Sequence, residues 1–140
     1  VPLSLKSDEE SAATLDLLSV DLYTGRASLY KAGACPTFLV RGGKAEPVEA
    51  AGLPVGILSS VVGAQHTLTL HEKELVVLVS DGALVDGPGW ICQQLELCAA
   101  MGSTPAEIAR ILADMAKGRA SRSARPDDIT VAVLALEKAV

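Results

Sequence analysis

Aromatic side chains are nearly missing: the 140 residues include one Trp, one Phe and two Tyr. With 49% hydrophobic residues and a mean hydropathy of +0.35, the core has to be packed from aliphatic side chains instead. No apolar run approaches the roughly 20 residues that a membrane-spanning helix needs. The first ten residues, Val1-Pro-Leu-Ser-Leu-Lys-Ser-Asp-Glu-Glu, lack a charged region followed by an apolar one, so they do not read as a signal peptide. A surplus of positive charge is also lacking. The net charge of -5 argues against nucleic acid or an anionic membrane as a partner and suits a cation site. Cysteine is scarce. Cys35, Cys92 and Cys98 are odd in number and have no zinc-ligand spacing. Cys92 and Cys98, six apart on an expected helix, fall on different faces, and all three read as reduced, buried small hydrophobes of a cytosolic chain. His66 and His71 are five apart with no third ligand in sight, and are expected as solvent-facing or hydrogen-bonded strand residues. The length fits one domain, residues 1–140, with a real core.

The chain is organised around the stretch from Glu74 to Gly87. Leu75 to Val79 is a continuous apolar run rich in β-branched residues, the pattern of a strand buried on both faces. Ser80-Asp81-Gly82 stops it. A carboxylate at the end of a buried strand, next to Gly, is held rigidly and can be approached closely, which suits an oxygen-liganded Mg²⁺ or Mn²⁺. A plain strand-ending turn uses the same residues.

Upstream, Leu15 to Leu22 is mostly apolar and reads as a strand covered on both sides. Tyr23-Thr24-Gly25-Arg26 turns it, and Ala27 to Ala32 returns, giving a hairpin over 14–32. Thr37 to Arg41, the pair Gly42-Gly43 and Lys44 to Val48 make a second hairpin, with Pro47 marking an edge strand. Ala51 to Leu58, punctuated by Gly52, Pro54 and Gly56, reads as a buried loop. His66 to Leu70 alternates as a fifth strand. After Gly87-Pro88-Gly89, the spacing of Trp90, Ile91, Leu95 and Cys98 predicts a helix over 89–101, ended by Gly102. Thr104-Pro105-Ala106-Glu107 is a capping box that opens a second helix, with an apolar stripe of Ile108, Ile111, Leu112 and Met115, to about Lys117. Residues 117–125 read as a mobile basic loop, in which Arg119, Arg122 or Arg125 is a candidate guide for an anionic substrate. Ile129 to Leu136 is the last buried strand. Six strands, two helices and one strand, joined largely by hairpins, predict an α+β fold: a mainly antiparallel sheet or sandwich with helices on one face.

Two acidic strand edges stand out: Ser80-Asp81-Gly82 after one buried strand, and Asp127-Asp128-Ile129-Thr130 before another. If those strands are antiparallel neighbours, Asp81 and Asp127 converge, and two such carboxylates repel unless a cation lies between them.

Four segments in this order, Ala32-Gly-Ala-Cys-Pro-Thr-Phe-Leu-Val-Arg41, Leu53-Pro-Val-Gly-Ile-Leu58, Leu78-Val-Ser-Asp-Gly82 and Pro126-Asp-Asp-Ile-Thr-Val131, resemble the metal-dependent (type 2C, PPM) serine/threonine phosphatases. The resemblance covers nearly the whole chain and is closest to the phosphatase domain of the stage II sporulation protein E family, which Asp16 to Thr24 also suits. It implies a β-sandwich flanked by helices with Mn²⁺ or Mg²⁺ at one end. The metals activate a water that attacks phosphoserine and neutralise the phosphate. Carried across, Asp81 and Asp127 match metal-ligand positions, and Asp128 is an adjacent carboxylate that holds a ligand or the loop. Asp86 lies one residue too far along for the family's next acidic position. It is either a further ligand or, as favoured here, a helix-entry turn.

The family's early Asp-Gly-rich motif and two long helices have no counterpart here. The only Asp-Gly pairs are at Asp81 and Asp86, both in the second half. The resemblance therefore implies the C-terminal part of a phosphatase domain, inactive alone and prone to self-association through an uncovered apolar face or an unpaired edge strand. It also implies a phosphorylated anti-anti-sigma factor as substrate, whose dephosphorylation activates a sporulation sigma factor. The parent is expected to be membrane-anchored at the division septum through its N-terminal region, with this domain in the cytoplasm. A non-enzymatic regulatory or assembly module on a degenerate phosphatase fold is the rival reading. An ordinary α+β binding domain with coincidental Asp turns is a third.

Overall fold

The structure, a computed structural model, describes residues 15–32, 35–49, 64–122 and 127–137. Among these the elements run β1 (Leu15–Val20), β2 (Arg26–Ala32), β3 (Thr37–Arg41), β4 (Lys44–Val48), β5 (Ala64–Thr69), β6 (Leu75–Val79), a 3-10 turn (Asp81–Leu84), α1 (Gly89–Met101), α2 (Pro105–Ala120) and β7 (Val131–Ala135). The loop expected at 51–58 lies outside the described residues. The chain forms two compact units, one from Val1–Cys35 with Glu49–Leu70, the other from Pro36–Val48 with His71–Val140.

The first unit holds a three-stranded antiparallel sheet in the order β1-β2-β5. Asp21 builds the turn of its hairpin: its Oδ1 accepts the N–H groups of Tyr23 at 2.9 Å and Thr24 at 3.3 Å, and its carbonyl accepts that of Gly25 at 2.8 Å. The expectation that β1 is covered on both sides fails. Leu15, Leu17 and Ser19 form an exposed face, with Leu17 56% exposed, because strict alternation puts every second residue of this edge strand on the open side. On the other face Lys31 is fully buried. Its ammonium donates to Asp16 Oδ2 at 2.8 Å, directly across the β1–β2 ladder. His66 also departs from expectation, since its Nε2 is buried and makes no hydrogen bond.

The second unit is built on a four-stranded antiparallel sheet in the order β4-β3-β6-β7. Gly42 and Gly43, at φ 55° and 77°, make the tight β3–β4 turn that only residues free to adopt positive φ supply cheaply. Pro47 is on the edge strand, as expected, where a missing N–H costs no ladder bond. Val76 and Val77, on opposite faces of β6, are both fully buried. Helix α1 buries Trp90, Ile91, Leu95 and Cys98 and packs on β3 and β4. Its Glu96 accepts the N–H of Ala45 on the edge strand at 3.4 Å.

Helix α2 opens with the expected capping box: Thr104 N–H donates to Glu107 Oε1 at 3.0 Å, and Glu107 N–H to Thr104 Oγ1 at 3.2 Å. It packs on β7 and on the turn after β6. The helix continues to Ala120, so Lys117–Ala120 is not the mobile loop that its polar composition predicts. Ala116 and Ala120 prolong the buried stripe of Ile108 and Leu112 by two turns, while Ile111 and Met115 are only half-buried. None of the three cysteines is in a disulfide. Cys98 is buried, whereas Cys35 and Cys92 are partly exposed, against the expectation of three buried side chains.

Candidate functional site

Antiparallel pairing of β6 with β7 ends at Val79↔Val131, so the residues leaving β6 meet those entering β7. Ser80 continues the contact. Its N–H donates to the carbonyl of Thr130 at 3.0 Å. Its hydroxyl accepts the N–H of Thr130 at 2.8 Å and donates to the carbonyl of Asp128 at 3.0 Å. Asp81 then opens the 3-10 turn. Gly82 is buried against the other acidic edge: a Cβ added there would lie 2.8 Å from the carbonyl oxygen of Asp127 and nearer still to that of Asp128. Across from it, Asp127 Oδ1 accepts the N–H of Asp128 at 2.8 Å. The Asp81-Gly82 and Asp127-Asp128 edges therefore lie together, at the end of the sheet where the sequence puts them.

Asp81, Asp127 and Asp128 are all exposed there. Carboxylate and carbonyl oxygens are hard donors, the kind that Mg²⁺ and Mn²⁺ prefer. The cradle closed by Gly82 holds the two backbones at contact distance. The residues present fit such an ion as part of a ligand set. Among the described residues, no three His, Cys, Asp or Glu side chains stand together as a complete metal site.

Asp86 is engaged elsewhere. Its Oδ2 accepts from Arg119 Nη1 at 2.7 Å, and the Arg119 guanidinium lies 4.7 Å from the centre of the Trp90 ring. Arg119 is thus a clasp on α2 rather than a loop cation. Arg125 lies outside the described residues. Burial, and then the Glu96 carboxylate, push the Cys92 thiol above its ordinary pKa, so it stays protonated and makes a poor nucleophile. A cavity of about 660 Å³ lies around Leu75 and Ala135, at the opposite end of β6 and β7 from the acidic edge.

Sequence reasoning passed over Ser80 as a functional residue. A hydroxyl at the junction of a buried strand and an Asp-Gly pair is the available signal, because Ser side chains bond nearby backbone where regular structure ends. Arg119 was legible only as one of several basic residues.

Stage II sporulation protein E of Bacillus subtilis is 30% identical over 143 residues, which is 96% of this chain and 17% of that protein. The chain thus spans about a sixth of the length of that relative. The solved phosphatase domain of SpoIIE from Bacillus subtilis superimposes with a TM-score of 0.73 at 28% identity, over 99% of this chain and 62% of that one. A manganese-presoaked form of the domain superimposes at 0.72. The Mycobacterium tuberculosis serine/threonine phosphatase PstP shares the fold at 19% identity and a TM-score of 0.72, over 97% of this chain and 65% of its own. The catalytic domain of PstP has also been solved in complex with two manganese ions. The α+β architecture is therefore a partial PPM phosphatase fold. With residues 3–137 matching the model for stage II sporulation protein E, the chain belongs to that family.

Proposed function

We propose that this chain is the C-terminal part of a Mn²⁺- or Mg²⁺-dependent protein serine phosphatase domain. The observation that carries this is the contact between the two acidic edges, held by Ser80 and Gly82, in a chain of this family. Asp81 and Asp127 are the proposed metal ligands. Asp128 is a weaker candidate, whose backbone carbonyl is already held by Ser80. Bound there, the metal supplies Lewis acidity toward a phosphoserine oxygen and makes water a competent nucleophile. The protein's own residues hold the backbone of the Asp81-Gly82 turn against that of Asp127-Asp128 at a solvent-open edge. Solved relatives soaked or complexed with manganese support the choice of ion.

The proposed substrate is a phosphorylated anti-anti-sigma factor, whose dephosphorylation activates a sporulation sigma factor. The proposed setting is the cytoplasmic side of a membrane-anchored parent at the division septum. Among the described residues no helix is long and apolar enough to cross a membrane. The test is Mn²⁺-dependent hydrolysis of a phosphoserine protein by the full-length parent. Asp81→Asn and Asp127→Asn should each lower turnover by two orders of magnitude or more, in line with the roughly 10²–10³ cost of losing one preorganised charge-stabilising group. Unchanged turnover in both variants would overturn the assignment.

A further inference from the structure

Ser80 has one backbone carbonyl and two claims on it. In a regular antiparallel ladder, the carbonyl of a residue opposite Thr130 would accept the Thr130 N–H. The Ser80 carbonyl instead accepts the N–H of Ala83 at 3.0 Å and so starts the 3-10 turn. The hydroxyl takes its place in the ladder, accepting the Thr130 N–H at 2.8 Å and donating onward to the Asp128 carbonyl at 3.0 Å. The side chain thus stands in for the main chain at one position. That substitution lets the backbone leave the sheet at Asp81 while remaining tied to residues 128–130.

We infer that Ser80 is a positioning residue for the metal: its hydroxyl joins the turn carrying Asp81 to the segment carrying Asp127 and Asp128. The inference rests on the metal-site reading above. Without the hydroxyl, the Thr130 N–H and the Asp128 carbonyl lose their partner. The Ser80 carbonyl can then return to the ladder, at the expense of the turn. Either change loosens the spacing of the two carboxylate edges without removing a ligand.

The test uses the full-length parent with Ser80→Ala and Ser80→Thr. Mn²⁺ binding is measured by calorimetry, turnover at saturating Mn²⁺, and amide exchange at Thr130 in metal-free protein. Ser80→Ala should weaken Mn²⁺ binding about 10–100-fold, the usual cost of losing an outer-shell partner. It should also speed exchange at Thr130 and lower turnover at saturating metal, the latter by a smaller factor than it lowers Mn²⁺ affinity. Ser80→Thr, which keeps the hydroxyl, should restore all three. A Ser80→Ala protein that binds Mn²⁺ as tightly as wild type, or a Ser80→Thr protein that fails to rescue, would overturn the role of Ser80. Wild-type protein that binds no Mn²⁺ would overturn the metal reading and the purpose assigned to Ser80 with it. The Thr130 exchange rates would then still report whether the hydroxyl holds the two edges.

Discussion

Gly82 occupies a position with no room for a side chain. The atoms that a Cβ would strike are backbone carbonyl oxygens of Asp127 and Asp128, which cannot swing aside as a flexible side chain can. Gly82→Ala should therefore destabilise the fold by about 1–3 kcal/mol, the ordinary range for overpacking, read from the midpoint of urea unfolding. Because the displaced backbone is the acidic edge itself, Mn²⁺ affinity should fall as well. Asp86 should behave differently. Its carboxylate is held by Arg119, so Asp86→Asn should leave Mn²⁺ affinity unchanged in calorimetry; a tenfold loss would mean that Asp86 is a ligand after all. Arg119→Ala removes both the ion pair and the contact over Trp90. The pair is partly exposed, and the expected loss is only about 1 kcal/mol.

At the level of elements, the β1–β2 hairpin and helix α2 each rest on an identifiable contact. The hairpin carries Lys31 with no exposed surface, opposite Asp16. Removing one member of a buried pair costs more than replacing both by apolar side chains, so Asp16→Ala should destabilise the chain more than the double change Asp16→Leu with Lys31→Met does. Comparative thermal melts decide between these outcomes. For α2, Thr104→Ala removes the cap and should cost about 1 kcal/mol. The pH dependence follows from Glu107. The Thr104 backbone N–H, then its hydroxyl, hold the Glu107 carboxyl below its ordinary pKa. A lowered folded-state pKa means that this stabilisation is complete above the unfolded value of about 4.3 and fades as pH falls through the folded value. The stability gap between wild type and Glu107→Gln should therefore be present at neutral pH and close on the acid limb.

For the whole molecule, two expectations follow from what the chain covers. It spans 62% of the solved Bacillus subtilis phosphatase domain, and its described residues do not assemble a complete ligand set. These 140 residues alone should not hydrolyse phosphoserine at a useful rate with Mn²⁺, and measurable metal-dependent turnover by the purified chain would refute that. Among the described residues the exposed Leu15 and Leu17 lie on the outer strand of their sheet, an arrangement that favours pairing with another chain. Light scattering at high concentration should show self-association, and Leu17→Lys should reduce it; a wild-type chain that stays monomeric would count against this.

Strands β3, β4 and β6 and helix α1 were legible to the residue because each is bounded by residues that leave little choice: Gly42-Gly43, Ser80-Asp81-Gly82 and Gly102. The convergence of the two acidic edges was legible too, since antiparallel neighbours bring the end of one strand to the start of the next. The end of α2 was not. Lys117 to Ala120 is polar and small on paper, and only packing reveals that Ala116 and Ala120 bury a helical face. Nor was the open face of β1, because alternation gives two faces without saying which is covered. The side-chain hydrogen-bond partners of Ser80, Asp86 and Arg119 lie between 33 and 50 residues away, beyond the reach of any local pattern. By itself the sequence determined most of the elements, the α+β class and the meeting of the Asp81-Gly82 and Asp127-Asp128 edges, through periodicity and turn chemistry acting over a few residues. Only the tertiary structure decided which hydroxyl joins the acidic edges, which carboxylate is tied up by an arginine and where no side chain fits, because those depend on contacts between segments distant in the chain.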